Sequence, residues 1–145
     1  MKNFKKLVLL FLVASVALVS CNKDDDSGSG SIEGSWELSK VGSVVDGQEV
    51  LIDYPGHTAG CTKDYVEFKS GGVAVEHYFY DDNDGSGCYE EADSASWTKD
   101  GNTLTITYAD SVQIGEILEL SGSTLKVKTT DSDTQEIIII VYSRK

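Results

Sequence analysis

Histidine, cysteine and basic residues are all scarce in this sequence, and each scarcity removes a class of chemistry. The two histidines, His57 in a Pro-Gly loop and His77 within a strand, fall into neither a Ser/His/Asp order nor an H-x-x-x-H pair. Neither a nucleophilic triad nor a helical zinc site is therefore written here. The three cysteines form no C-x-x-C spacing, which removes the common zinc and redox motifs. With 12 Lys+Arg against 24 Asp+Glu, the formal charge is −12, so nucleic acid and anionic lipid headgroups are poor electrostatic partners. Carboxylates are plentiful, but they gather in turns rather than at opposed strand ends, where a glycosidase needs its pair. The chain is not expected to be an enzyme, and no metal or cofactor is implied.

What is present begins with a leader. Lys2, Lys5 and Lys6 form a basic start, and Leu7 through Val19 is apolar apart from Ser15. That run is 13 residues long, whereas crossing a bilayer takes about 20, so residues 1–20 read as a cleaved secretory leader. Leu18-Val19-Ser20-Cys21 resembles the lipobox of bacterial lipoproteins, an aliphatic residue, a tolerant position, a small residue and a cysteine. The resemblance implies that the Cys21 thiol receives a diacylglyceryl group, that the leader is cut before it, and that the new amine is acylated. Stable anchoring takes two chains, each buried methylene contributing about 0.8 kcal/mol, so such a lipid holds a soluble domain at a membrane.

Residues 21–31 carry this cysteine and a tether. Asn22 through Ser31 contains no large apolar residue and ends in Gly/Ser alternation, so it cannot order itself by burial. Ten such residues reach about 35 Å when extended. Lys23-Asp24-Asp25-Asp26 resembles the acidic export tag of surface lipoproteins in the Bacteroidota; on composition alone it is a solvated charge run. Asn22 stands where an aspartate, by family analogy, favours inner-membrane retention. The implied address is the outer membrane, lipid-anchored, with cell-surface exposure if the acidic tag is read. Removing the leader takes three lysines and no acid, leaving a charge of −15, so lipid rather than electrostatics must hold the protein there.

Residues 32–145 suffice for one domain with a single core. The pattern is all-β, with candidate strands at Glu33–Val41, Gln48–Ile52, Asp64–Lys69, Val73–Tyr80, Ala95–Lys99, Thr103–Tyr108, Val112–Leu120, Thr124–Thr130 and Gln135–Ser143. Gly71-Gly72, Asp100-Gly101-Asn102 and Ser121-Gly122-Ser123 supply hairpin turns, so consecutive strands are expected to pair as an antiparallel up-and-down meander. Two architectures bury one face of about eight such strands, a closed barrel and a β-sandwich.

Alternation assigns the faces. Val66 and Phe68 oppose Tyr65, Glu67 and Lys69; Leu104, Ile106 and Tyr108 oppose the threonines between them; Leu125 and Val127 oppose Lys126 and Lys128. In Val73–Tyr80, the set Val73, Val75, His77 and Phe79 is the more apolar and is expected to face inward. A strict period of two along Val112–Leu120 would bury Glu116, which a bulge at Gly115 would release. Ile137 through Val141 is apolar on both faces and needs cover on both, as a barrel-closing strand under a loop would provide.

Gly34-x-Trp36 on the first strand resembles the opening signature of lipocalins, and the wider pattern resembles the lipocalin-like domains of Bacteroidota lipoproteins. The residues carrying it include Cys61 before Val66/Phe68, Trp97 before Gly101-Asn102-Thr103-Leu104, Ile117 through Leu120 before Leu125, and the Tyr142-x-Arg144 ending. It implies a barrel that Trp36 plugs at one end, with Trp36 and Trp97 in the core. Once Cys21 carries lipid, Cys61 and Cys88 are an even pair in an oxidising compartment, and a disulfide is the natural reading.

Tyr80 through Glu91 spaces Asp82, Asp84, Gly85 and Glu91 as in a calcium loop, but tyrosine holds the first ligand position and no helices flank it, so a solvated hairpin tip is expected. Two functional classes remain. A barrel interior takes one small apolar or amphipathic ligand, with His77 its polar contact and Tyr108 and Glu116 near enough to share the role. Alternatively, Trp36, Phe68, Phe79, Trp97, Tyr108 and the isoleucines fill the barrel, and the protein is a cell-envelope interaction or structural module for an unspecified protein partner. A barrel solidly packed around His77, or a His77 that points to solvent, removes the ligand-binding claim and leaves the interaction module standing.

Overall fold

Short runs of alternating polarity between turn residues form strands because only a pleated chain puts successive side chains on opposite faces. In a computed structural model, which describes residues 30–81, 87–131 and 134–145, they do so nine times. The strands are β1 Gly34–Val45, β2 Gln48–Asp53, β3 Tyr65–Lys69, β4 Val73–Asp81, β5 Cys88–Asp100, β6 Thr103–Thr107, β7 Val112–Leu120, β8 Thr124–Thr130 and β9 Ile137–Arg144. The leader, Cys21 and nearly all of the tether lie outside the described residues, as do Asp82, Asp84 and Gly85 of the calcium-like loop.

All pairings are antiparallel, in the order β2-β1-β3-β4-β5-β6-β7-β8-β9, and β9 returns to β1. Eight strands thus close a barrel and the sandwich is excluded; β2 is the extra strand. The meander expectation fails at one step, because β2 does not pair with β3. Instead β1 gives Gly34–Glu37 to β3 and Lys40–Val45 to β2 on the same edge.

The β1–β2 hairpin folds against the outside of the barrel. Gly42 permits it, since a side chain there would run into the Val50 carbonyl, and Glu49 on β2 reaches Lys126 on β8. Ile139, which points outward between them, is only 1% exposed. Past the exposed Ile137, the apolar β9 therefore has cover on its outer face at Ile139, from a strand pair rather than a loop.

The closed pole is built on Trp36, which is 0% exposed and donates its indole N–H to the Ile32 carbonyl at 2.6 Å. The Arg144 guanidinium lies 4.1 Å from the ring centroid and donates to the carbonyls of Glu33 and Ser31. Val66, Phe68, Ala74, Leu104, Ile117, Leu125 and Val127 complete the core around it. Trp97 packs edge-on against Phe68 with centroids 5.5 Å apart, so Trp36 is a core residue and Trp97 a half-buried one packed against that core. Cys61, in the β2–β3 connection, is disulfide-bonded to Cys88 at the start of β5.

Two parity assignments are corrected. In β4 the inward residues are Ala74, Glu76 and Tyr78, not Val75, His77 and Phe79, because Val66 and Phe68 stand directly opposite Glu76 and Ala74 and paired residues share a face. In β7 the bulge falls between Ile117 and Glu119 rather than at Gly115. Gly115 and Ile117 face inward, while Val112 and Ile114 face outward, 59% and 61% exposed.

Candidate functional site

The polar groups of the interior converge on Glu76. Tyr78, two residues further along the same face of β4, donates its hydroxyl to Oε2 at 2.7 Å. Tyr108, at the end of β6, donates to Oε1 at 2.6 Å. That second bond crosses β5 past Ala95, which the Ser96↔Thr107 rung sets beside Tyr108, while Asp93 of β5 stands opposite Glu76 on the same face.

Tyr142 of β9 faces the same interior, and among the described residues its hydroxyl makes no hydrogen bond. Burial, and then the Glu76 charge, push the Tyr142 phenol well above its ordinary range. Burial acts first on Tyr78 and Tyr108 as well, followed by donation to Glu76, and both phenols are held far above the usual tyrosine value. They therefore remain protonated donors. Tyr54, at the end of β2, is raised by burial and then by Asp64, with Glu76 contributing.

Tyr142 also borders a cavity of about 40 Å³, which Glu76, Tyr78 and Tyr108 do not line. Phe68, Leu104, Ile106, Val127 and Ile140 supply an apolar wall, and Gln113, Thr129 and Tyr142 are its polar lining residues. An apolar wall with a few convergent polar groups is the usual make-up of a small-molecule site.

A lipocalin-like domain model matches residues 32–127. The chain belongs to the lipocalin-like domain family. Among solved structures, it is similar in fold to a bovine odorant-binding protein deswapped triple mutant, at 17% identity and a TM-score of 0.43, covering 77% of this chain and 72% of that one. A dog lipocalin allergen matches at 14% identity and a TM-score of 0.41, over 78% of this chain and 72% of that one. No curated protein matches it. Lipocalin-like barrels commonly hold small hydrophobic ligands, and family members are typically binding proteins.

Of the three interior contacts expected in this lipocalin-like barrel, only Tyr108 faces the interior. His77 lies on the outer wall, stacked on Tyr65 with centroids 4.2 Å apart and donating from Nδ1 to Glu90. Its Nε2 is buried and has no partner among the described residues. Glu116 also faces outward and pairs with Lys128. The ligand role assigned to His77 therefore falls, and Glu76, read as an outward residue, occupies the interior. The missed signal was the rung count: the tight Gly71-Gly72 turn fixes which β4 residue opposes Val66.

Sequence reasoning also missed Asp64 and its use of His57. Asp64 is 4% exposed, and its Oδ1 accepts the Phe79 N–H at 2.9 Å, just beyond the last β3–β4 rung. His57 accepts the Asp64 N–H through Nδ1 and donates from Nε2 to the Leu38 carbonyl at 2.7 Å. His57 thus ties the long connection to β1. Among the described residues no group of three metal-ligating side chains stands together.

Proposed function

We propose that this chain is a lipid-anchored carrier, a binding protein rather than an enzyme, whose barrel holds one small amphipathic molecule. One observation carries the reading: a mainly apolar cavity inside the barrel is bordered by Tyr142, Gln113 and Thr129 as its polar groups, and the Glu76 charge reaches the Tyr142 phenol. An interior evolved only for packing gains nothing from a carboxylate and three phenols, since burying polar groups costs free energy even when they are bonded. The apolar wall receives the body of the ligand, and Tyr142, Gln113 and Thr129 its head.

The anchor in this reading is Cys21. Support comes from the lipobox Leu18-Val19-Ser20-Cys21 and the tether behind it, with the outer membrane as the address. Native mass spectrometry of the protein from its own envelope should retain a mass beyond that of the lipid; its absence under gentle ionisation removes the carrier role. Cys21→Ser should abolish detergent-phase partitioning, and unchanged partitioning removes the anchor.

A second reading has one observation in its favour. Val112 and Ile114 on β7 and Ile137 on β9 are exposed on the outer wall at the barrel's other pole, which suits an envelope interaction module. In that case Ile114→Lys abolishes cross-linking to an envelope protein while no ligand mass is found.

A further inference from the structure

We propose that the first half of β5 is a docking edge, where an extended, basic segment of another protein adds as a further antiparallel strand. The site is separate from the barrel interior and does not rest on the carrier reading. β5 pairs with β4 in one register from Cys88 to Ser96, but with β6 only from Ser96 to Asp100. From Cys88 to Ala95 its second edge therefore has no strand beside it among the described residues, and residues 88–94 are all exposed.

The alternation of the backbone says which groups that edge offers. The Trp97 N–H donates to the Gly72 carbonyl on the β4 side. Strand residues turn alternately to the two edges, so Ala95, Asp93 and Glu91 also face β4, whereas Ser94, Ala92 and Glu90 present N–H and C=O to the open edge. Native sheets guard such an edge with a proline, a lysine, a bulge or a cover. Residues 88–95 contain neither proline nor lysine, and their register to β4 has no bulge.

Charge selects the occupant. No lysine or arginine stands between Lys69 and Lys99. Glu91 and Asp93 share one face with Tyr80 and Tyr89, whose part-exposed rings lie 5.5 Å apart. Neither carboxylate has an ion-pair partner among the described residues, while Glu90 on the other face is engaged by His77. A second copy added through this edge, centred on Ala92, would set Glu91 against the second copy's Asp93, and like charges directly opposite destabilise a pair. A segment with lysine or arginine at alternate positions instead sets its cations across from Glu91 and Asp93, with the Tyr89 ring face beside them.

A capped, dye-labelled heptapeptide of alternating threonine and lysine tests this, with a threonine and glutamate peptide as the charge control. Each is titrated at pH 7 and low salt into the full chain in non-ionic detergent and followed by fluorescence anisotropy. The lysine peptide should bind at least about ten-fold more tightly than the glutamate one, with an advantage that shrinks as salt is added. Two isomers of the lysine peptide separate strand pairing from plain attraction. Methylating the threonine backbone nitrogens, which face β5 when the lysines stand across from Glu91 and Asp93, should abolish binding; methylating the lysine backbone nitrogens, which face away, should leave it. Ala92→Pro removes an edge N–H that the barrel does not use, so it should melt as the wild type does and lose the peptide. Should that variant fold poorly, the two methylated peptides decide alone. Glu91→Gln with Asp93→Asn should erase the preference for lysine over glutamate. Methylated isomers that bind alike, or in the reverse order, overturn strand addition, and a glutamate peptide as tight as the lysine one overturns the basic partner. Failure of the lysine peptide to bind overturns both.

Discussion

Val66 stands directly opposite Glu76 across the β3–β4 rung, and this places a carboxylate on the inner face of the barrel. Val66 is held in the core beside Trp36 and Phe68, so Glu76 cannot turn outward without slipping the register and exposing both apolar residues of β3. The acid is tolerated because two phenols bond it.

The first prediction follows from those phenols. Glu76→Leu leaves the Tyr78 and Tyr108 hydroxyls without their acceptor, and the loss of such a partner inside a protein costs about 1–3 kcal/mol. Urea unfolding should show it, and Tyr78→Phe with Tyr108→Phe in the Glu76→Leu background should recover part of the loss. A Glu76→Leu variant as stable as wild type would mean that the carboxylate plays no part in holding the interior.

Alkaline pH provides the second. Folding raises the Tyr78 and Tyr108 phenols above their ordinary 10.0, by burial first and by donation to Glu76 second. Below that value the phenols are protonated in both folded and unfolded chains, so they give no pH dependence. Above it the unfolded chain releases protons that the folded one retains, so stability falls as pH rises. Melting temperatures from pH 8 to 12 should decline beyond about 10, and each Tyr→Phe change should flatten the slope. A flat profile through pH 12 contradicts the arrangement.

The disulfide gives the third. Cys61 and Cys88 are 27 residues apart, and bridging a loop of that size stabilises by about 2–4 kcal/mol. Cys61→Ser and Cys88→Ser should lose the same amount in denaturant unfolding under non-reducing conditions. Unequal losses would show that one sulfur contributes more than the bridge.

Strand β7 gives the fourth, because its parity is the reverse of the one expected. A side chain at Gly115 would run into the Val127 methyl, so Gly115→Val overpacks the interior at a cost of about 1–3 kcal/mol. Ile114→Lys, on the exposed neighbour, should change stability by no more than about 0.5 kcal/mol. Thermal melts of the two variants decide which face is which, and the opposite ranking would restore the parity expected from hydropathy.

The closed pole gives the fifth. Trp36 is fully buried and bonded to the Ile32 carbonyl, so Trp36→Ala should cost about 3–5 kcal/mol. Equilibrium unfolding by tryptophan fluorescence, with Trp97 as the remaining reporter, measures it.

The fold was legible where one side of a strand was apolar and the other polar, as in Tyr65–Lys69, Thr103–Thr107 and Thr124–Thr130. It was less so in β5, expected over Ala95–Lys99 but running from Cys88 to Asp100. Residues 88–94 are all exposed and carry no alternation, because the pairing with β4 rather than burial defines them. The interior site was hidden for a different reason. Hydropathy ranks Val75, His77 and Phe79 above Ala74, Glu76 and Tyr78, and only the register and the partners supplied by β6 reverse that ranking. The double role of β1, shared between β2, β3 and β9, is a long-range fact that no local pattern contains.

Gly30 packs against Ser121, Ser31 accepts a hydrogen bond from Arg144, and the Lys145 N–H bonds the Ser35 carbonyl. Both ends of the described domain thus leave from the pole that Trp36 plugs. The barrel behaves as a cup whose handle is at its base: fixing the protein to a surface by either end leaves the rim at the opposite pole, with residues Val45, Val112 and Ile137, turned toward the surroundings.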